Sequence, residues 1–100
     1  MKTAGTIKME FQAMFQRANK LEELALELKR HAREIEAQQG NISSVWTGEA
    51  SEEFQKKLQR EKDLVYRHAG QLEQAACAIR RAAIRIYNTE KFALSLIGQH

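Results

Sequence analysis

The first forty residues place an apolar side chain at every third or fourth position. From Ile7 the spacing alternates between four and three, the period of an amphipathic α-helix that buries one stripe. Gly40 and Asn41 then provide the residue types that favour a left-handed helix end. The pattern predicts frayed residues 1–6 and a first helix over 7–39. Its predicted stripe contains Phe11, Met14, Ala18, Leu21, Ala25, Leu28, Ala32 and Ile35.

A second amphipathic pattern follows a predicted turn over 40–48. Glu49 and Glu52 lie at its start, where the partial positive charge of a helix N-terminus favours acidic side chains. The prediction is a second helix over 48–90, followed by a tail over 91–100. Its predicted stripe contains Phe54, Leu58, Glu61, Val65, His68, Leu72, Ala75, Ile79, Ala82 and Ile86.

Two amphipathic helices joined by a short turn are expected to fold back on each other, because neither apolar stripe is stable in water. The predicted fold is therefore all-α, an antiparallel two-helix hairpin that forms a single domain over residues 1–100. The absence of proline and the excess of Ala, Glu, Gln, Lys, Leu and Arg agree with this class. Glu61 and His68 interrupt the second stripe; they either lie at its edge or form paired polar residues that fix the register.

Several apolar residues lie outside both predicted stripes. A two-helix domain of 100 residues buries little core, so these residues imply a second contact surface and a partner hairpin. The prediction is a homodimer, or a heterodimer with a similar hairpin, in the form of a four-helix bundle. The candidate partner face comprises Phe15, Leu24, Leu26, Tyr66, Cys77 and Ile84.

The charge pattern is that of a solvated helix surface. The net charge is +3, and opposite charges alternate along both helices, which argues against nucleic acid as a partner. A nucleic-acid or membrane-surface binder remains a third hypothesis. It would use Arg80, Arg81, Arg85 and Lys91.

Residues for catalysis or cofactor binding do not cluster in the sequence. The three histidines are scattered, Cys77 is the single cysteine, and the five glycines form no phosphate-binding loop. We therefore expect no enzyme activity, no cofactor and no metal site. No apolar run has the length of a membrane span or of a secretory signal, so we also expect no transmembrane segment and no ordinary cleaved signal peptide.

The centre of the chain carries a distinctive motif. Trp46, the only tryptophan, and Gly48 lie between the two helical patterns. The small residues Ala50 and Ser51 follow soon after the glycine, and the aromatic Phe54 lies early in the second helix. Together with the chain length, this arrangement resembles the WXG family of early-secreted-antigen-like proteins. That family is exported without a signal peptide by type VII (ESX-type) secretion systems of Gram-positive bacteria and their relatives.

The resemblance assigns Trp46 and Gly48 to a recognition motif; the alternative is a tryptophan that only packs between the helices. The family also carries a C-terminal secretion element, a tyrosine followed four residues later by an acid. Here Tyr87 is followed by an acid at the third position, Glu90, and by Lys91 at the fourth. Either the element is degenerate, or a partner chain supplies the signal.

The resemblance implies a small, non-enzymatic secretion protein that is made in the cytoplasm and exported as a folded pair. A membrane-embedded type VII secretion ATPase would recognise the pair. The alternative is a cytoplasmic targeting partner for the N-terminal helical domain of a larger type VII toxin.

Overall fold

The chain folds into two long α-helices joined by a three-residue loop. A computed structural model describes residues 2–98, so the last two residues of the predicted tail lie outside it. Helix α1 spans Ala4–Val45 and has 42 residues, and helix α2 spans Glu49–Leu96 and has 48. The described part of the chain contains no strand, and the predicted all-α hairpin is confirmed.

Both helices are longer than the sequence patterns predicted. Helix α1 begins at Ala4 because the Thr3 hydroxyl accepts a hydrogen bond from the Thr6 N–H at 3.1 Å. It also continues through Gly40 and Asn41, and neither residue has a positive φ. The predicted helix end at these two residues is wrong, because their backbones stay helical.

The physical reason lies further along α1. Ile42 is half-buried, and its carbonyl accepts a hydrogen bond from the Trp46 N–H at 2.8 Å. The last turn therefore retains both its backbone bonding and an apolar contact. Gly48, with a φ of 109°, is where the chain changes direction.

The predicted stripe of α1 agrees with the observed burial. Every predicted position is buried or half-buried, and the three alanines are almost completely enclosed, with exposed fractions of 0 to 1%. The stripe extends to Ile7 at one end and to Ile42 at the other.

The predicted stripe of α2 is only half correct. Five predicted positions are buried or half-buried: Leu58, Val65, Leu72, Ile79 and Ala82. The other five are exposed: Phe54, Glu61, His68, Ala75 and Ile86. At every second position of the stripe, the residue that follows the predicted one is the more buried of the two. These positions are Gln55, Lys62, Ala69, Ala76 and Ala83.

The fully enclosed side chains are small. Ala18, Ala25 and Ala32 of α1 and Ala69, Ala76 and Ala83 of α2 are all at most 1% exposed, whereas no large described side chain falls below 2%. Alanine at every seventh position lets two helix backbones approach closely. It also leaves the larger apolar residues beside it only partly covered.

The chain divides into two compact units, and both helices contribute to each. Within the described range, unit 1 comprises the chain up to Glu22 and from Glu73 onward, and unit 2 comprises Glu23–Leu72. Whether the whole chain behaves as a single domain stays a prediction.

Candidate functional site

The loop Trp46-Thr47-Gly48 is the first candidate site, and its backbone depends on glycine. Gly48 has a φ of 109°, in the region that side chains with a Cβ rarely adopt. A Cβ at this position would meet no heavy atom within 4 Å. The requirement for glycine is therefore conformational and not one of space.

Two hydrogen bonds hold the loop onto the start of α2. The Ser51 hydroxyl donates to the Trp46 carbonyl at 2.9 Å, and the Glu52 N–H donates to the Gly48 carbonyl at 3.1 Å. Ser51 is 4% exposed, and its role was missed in the sequence. Its position seven residues before Leu58 could have placed it in the buried stripe.

The Trp46 indole is partly exposed. It retains 43% of its accessible surface, and its ring centroid lies 5.9 Å from that of Phe54, which is 39% exposed. Val45 beside it is 84% exposed. The corner therefore presents an accessible apolar cluster on a fixed backbone.

Open grooves lie on two sides of Trp46. The larger, of about 580 Å³, has an aromatic and aliphatic floor with cations along it. Its lining comprises one acidic residue, Glu53, and three cations, and in full it is Trp46, Ala50, Glu53, Phe54, Lys56, Lys57 and Arg60. A second groove of about 410 Å³ runs past Thr47, Gly48 and Ser51. The larger groove, with its aromatic floor and its excess of cations, can hold an apolar side chain beside an acidic one.

A polar network closes the helix pair next to this corner. The Gln55 amide donates to the Gln39 carbonyl at 3.0 Å and to the Ser43 hydroxyl at 3.2 Å. The Gln39 side chain bonds Gln59 at 3.3 Å and accepts from Lys62 at 3.5 Å. These groups fix how the two helices meet in unit 2.

The second candidate site is the C-terminal element, where Tyr87 packs into unit 1. Its ring centroid lies 4.7 Å from that of Phe11, and the Lys91 ammonium lies 5.5 Å from the Tyr87 ring centroid. Phe11 also stacks on Phe15 at 4.7 Å. Tyr87 is therefore half-buried in an aromatic cluster.

Glu90 is held by the start of the chain. One carboxylate oxygen accepts from the Lys2 ammonium at 3.0 Å, and the other is buried without a hydrogen-bond partner. Lys2 also binds Glu10 at 2.7 Å, and these two hydrogen bonds raise the pKa of the Lys2 ammonium. Tyr87 and Glu90 thus make contacts inside unit 1, so neither side chain is fully presented to solvent.

The six residues of the predicted partner face have unequal environments. Leu24, Leu26, Cys77 and Ile84 are exposed, whereas Phe15 and Tyr66 are half-buried. Leu24 and Leu26 lie about 200° apart around α1, so the set does not share one side of the helix. Its joint role stays a prediction.

Tyr66, from the predicted partner face, and Arg80, from the predicted nucleic-acid or membrane-binding set, both contact α1. The Tyr66 hydroxyl donates to Glu36 at 3.1 Å, and partial burial together with this bond raises the pKa of the phenol. Arg80 binds Glu22 and Asn19 and lies 5.8 Å from the Phe15 ring centroid. Both residues therefore tie α2 to α1.

Residues 2–98 contain no group of three or more side chains that could together hold a metal ion. No helix in the same range is both long and apolar enough to cross a membrane.

One of the comparisons with known proteins gives a match. The family model WXG100, described as proteins of 100 residues with WXG, matches residues 6–91. No curated protein matches the chain, and no solved structure does. The match covers both helices and the loop between them.

Proposed function

The chain belongs to the WXG100 family, and on that premise we propose that it works as one hairpin of a folded pair that a type VII secretion system exports. Members of this family are small helical proteins associated with type VII secretion, and they are not enzymes. The proposal concerns three finer points: how the chain pairs, what recognises it, and where its export signal lies.

Pairing is supported by the incomplete cover of the large apolar side chains. Leu21, Leu28 and Leu72 flank the alanine stripe and are only half-buried, as is Ile79. Burying the remainder of each such side chain contributes on the order of 1 kcal/mol. A second hairpin, either another copy or a similar chain, would supply that cover.

The pairing surface that we propose lies on one side in each unit. In unit 1 Glu22 of α1 binds Arg80 of α2, and this contact marks one side of the helix pair there. In unit 2 the contact of Glu36 with Tyr66 marks one side in the same way. The opposite side carries the half-buried large residues. In unit 1 these are Met14, Leu21 and Ile79, with the more exposed Ile86; in unit 2 they are Leu28, Val65 and Leu72, with Leu24.

Recognition is assigned to the loop corner. The observation that supports it is the 43% exposure of Trp46 on a backbone fixed by Gly48 and Ser51. An indole that served only to pack the helices would be more deeply enclosed. The secretion ATPase would bind this corner together with the C-terminal end of a chain in the pair.

The test compares export with stability. In cells that carry a type VII system, Trp46→Ala should reduce the secreted fraction at least tenfold while the thermal midpoint falls by only a few degrees. The matched control is Val45→Ala, because Val45 is apolar, adjacent and more exposed. Secretion of both variants in proportion to their folded amounts would sink the recognition role.

A targeting partner that stays in the cytoplasm is the second candidate function. It is favoured because neither tyrosine of the chain has an acid four residues later, and because Tyr87 and Glu90 are engaged with Phe11 and Lys2. The signal would then come from a larger partner with its own helical hairpin.

Substitutions of Lys91 distinguish the cytoplasmic targeting role from the exported hairpin proposed above. Lys91→Glu places an acid four residues after Tyr87, whereas Lys91→Gln removes the same cation without adding the acid. If the chain relies on a partner's signal, Lys91→Glu should give it export when expressed alone, and the wild type and Lys91→Gln should remain inside. Export of the wild type alone would contradict the targeting role.

A further inference from the structure

The last turns of α2 carry cations on their exposed side without neighbouring acids. Arg81, Arg85 and Lys91 are exposed, and Glu90, the one acid between residues 74 and 96, is bound to Lys2. Among the described residues, neither Arg81 nor Arg85 has an ion-pair partner. This end of α2 therefore presents uncompensated positive charge.

Large apolar side chains continue the same exposed side. Phe92 is 64% exposed and Leu96 is 70% exposed, which are high values for residues of this size. At about 100° per residue, both lie within about 60° of Arg81 and Arg85 around the helix. Arg81, Arg85, Phe92 and Leu96 thus combine charged and apolar groups on one arc, and Lys91 flanks it at about 80° from Arg81. We call this surface, with Lys91 at its edge, the outer arc.

The outer arc lies outside the four best-formed grooves among residues 2–98, two beside Trp46 and two beside Lys2 and Ile7. None of their linings includes any of its five residues. Protein partners anchor their main contacts in well-packed pockets. A convex arc of cations and protruding apolar groups instead fits a deformable surface with negative headgroups and an apolar interior.

We propose that the outer arc docks the protein on an anionic lipid bilayer. Arg81, Arg85 and Lys91 lie near the headgroup phosphates, and Phe92 and Leu96 enter the boundary with the acyl chains. The arc lies on α2 away from the half-buried residues Leu21 and Ile79, so docking and pairing use different sides of unit 1. The contact is peripheral and reversible, because three cations and two apolar side chains are a modest anchor.

The experiment measures partitioning of the full chain onto phosphatidylcholine vesicles with and without phosphatidylserine. Binding should require phosphatidylserine and weaken with added salt. The double variant Arg81→Gln/Arg85→Gln should bind about 25-fold more weakly, since each cation near an anionic surface contributes about fivefold. The control Arg30→Gln/Arg67→Gln removes the same charge from exposed positions of unit 2 and should bind at least fivefold more tightly than the first double variant.

A second pair of variants tests the apolar contribution. Phe92→Ser should weaken vesicle binding at least fivefold, whereas Met9→Ser, at a residue 70% exposed on α1, should leave it within twofold. Circular dichroism checks that each variant keeps its helices. Absent binding, equal losses from both double variants, or an effect of Met9→Ser as large as that of Phe92→Ser would overturn the proposal.

Nucleic acid is the competing ligand for the cations, and it is tested in the same assay. Short duplex DNA should compete with the vesicles only weakly. Strong competition combined with wild-type binding of Phe92→Ser would show that phosphate charge alone is recognised, and it would also overturn the membrane assignment.

Discussion

Unit 1 and unit 2 hold the same two helices together with different chemistry. In unit 1 an aromatic and aliphatic core lies beside the polar contacts of Lys2 and Arg80: Phe11 stacks on Phe15 and Tyr87, and Ile7 and Leu94 are at most 5% exposed. In unit 2 the positions next to the loop are polar, and amide, hydroxyl and ammonium groups bond across the helix pair.

The two kinds of contact contribute differently: apolar burial mainly stabilises the helix pair, and directional polar bonds mainly fix how the helices are aligned. Burying a large apolar side chain contributes roughly 1.5 to 3 kcal/mol, whereas an exchanged hydrogen bond contributes about 1 kcal/mol. Unit 1 should therefore carry more of the stability of the hairpin. The polar contacts of unit 2 are directional, so they fix the register of the two helices next to the Trp46 loop at a lower gain in stability.

The largest expected effect comes from the aromatic cluster of unit 1. Phe11→Ala removes the ring that touches both Phe15 and Tyr87 and should lower the free energy of unfolding by about 3 kcal/mol. Urea denaturation at a fixed protein concentration measures the change. In unit 2, Phe54→Ala removes a ring that is 39% exposed and should cost no more than about 1 kcal/mol. Equal losses in the two variants would contradict the division.

The two helices also differed in how far their sequences could be read. In α1 each alternate stripe position is apolar and has mostly polar neighbours, so spacing alone located the buried side. In α2 the doublets Ala75-Ala76 and Ala82-Ala83 offer two equivalent choices. Hydrophobicity could not choose between them, and the less buried member of each doublet was assigned to the stripe: Ala75 is exposed and Ala82 only half-buried.

The sequence contains a second signal, a seven-residue repeat of alanine, that does distinguish the two members of each doublet. Ala69, Ala76 and Ala83 repeat at intervals of seven residues, just as Ala18, Ala25 and Ala32 do in α1. Matching these two repeats would have placed Lys62 in the stripe and Glu61 outside it. The half-buried Lys62 is tolerated because Glu36 and Gln39 provide polar contacts, which hydrophobic patterning does not reveal.

At the loop, the motif was easier to recognise than its geometry. Gly48 has a φ of 109°, a conformation that the glycine of the motif permits but that the motif alone does not specify. The choice of Gly40 as the helix end was wrong because glycine permits a left-handed conformation without requiring it. Sequence could not show that the contacts of Ile42 would keep α1 helical as far as Val45.

A glycine exchange should give the next largest effect, and it acts within unit 2. Gly48→Ala forces a side chain into a positive φ and should destabilise the protein by about 1 to 3 kcal/mol. Gly70→Ala is the matched control: its φ is not positive and a Cβ there meets no atom within 4 Å, so it should stabilise by up to about 1 kcal/mol. Thermal unfolding by circular dichroism distinguishes the two. A neutral Gly48→Ala would show that the loop can relax.

The polar contacts of unit 2 should be replaceable at little cost. Lys62→Met exchanges an ammonium group 3.8 Å from Glu36 for an apolar group of similar length. The free energy of unfolding should change by less than about 1 kcal/mol, because the lost bonds are offset by apolar burial. Arg80→Met in unit 1 should cost more, since Arg80 binds both Glu22 and Asn19. A loss above about 2 kcal/mol in Lys62→Met, measured in urea, would reverse this ranking.

The smallest effect concerns alkaline pH. Hydrogen bonds to Glu10 and Glu90 raise the pKa of Lys2 above 10.5, so its stabilisation is present below that pH and is lost as pH rises through the folded-state pKa. Partial burial and Glu36 raise the pKa of Tyr66 above 10.0, with the same sign. Stability should therefore decline above about pH 10, and less steeply in Lys2→Gln and Tyr66→Phe. Identical pH profiles in all three proteins would exclude both contacts as the cause.

The central claim is that this chain completes its apolar cover only in a pair. The most direct test is the free energy of unfolding of the isolated chain, measured in urea over a wide range of protein concentration. We predict either a value that rises with concentration, as for self-pairing, or one below about 2 kcal/mol throughout, as for a chain that lacks its partner. A value above about 5 kcal/mol that does not depend on concentration would contradict the claim.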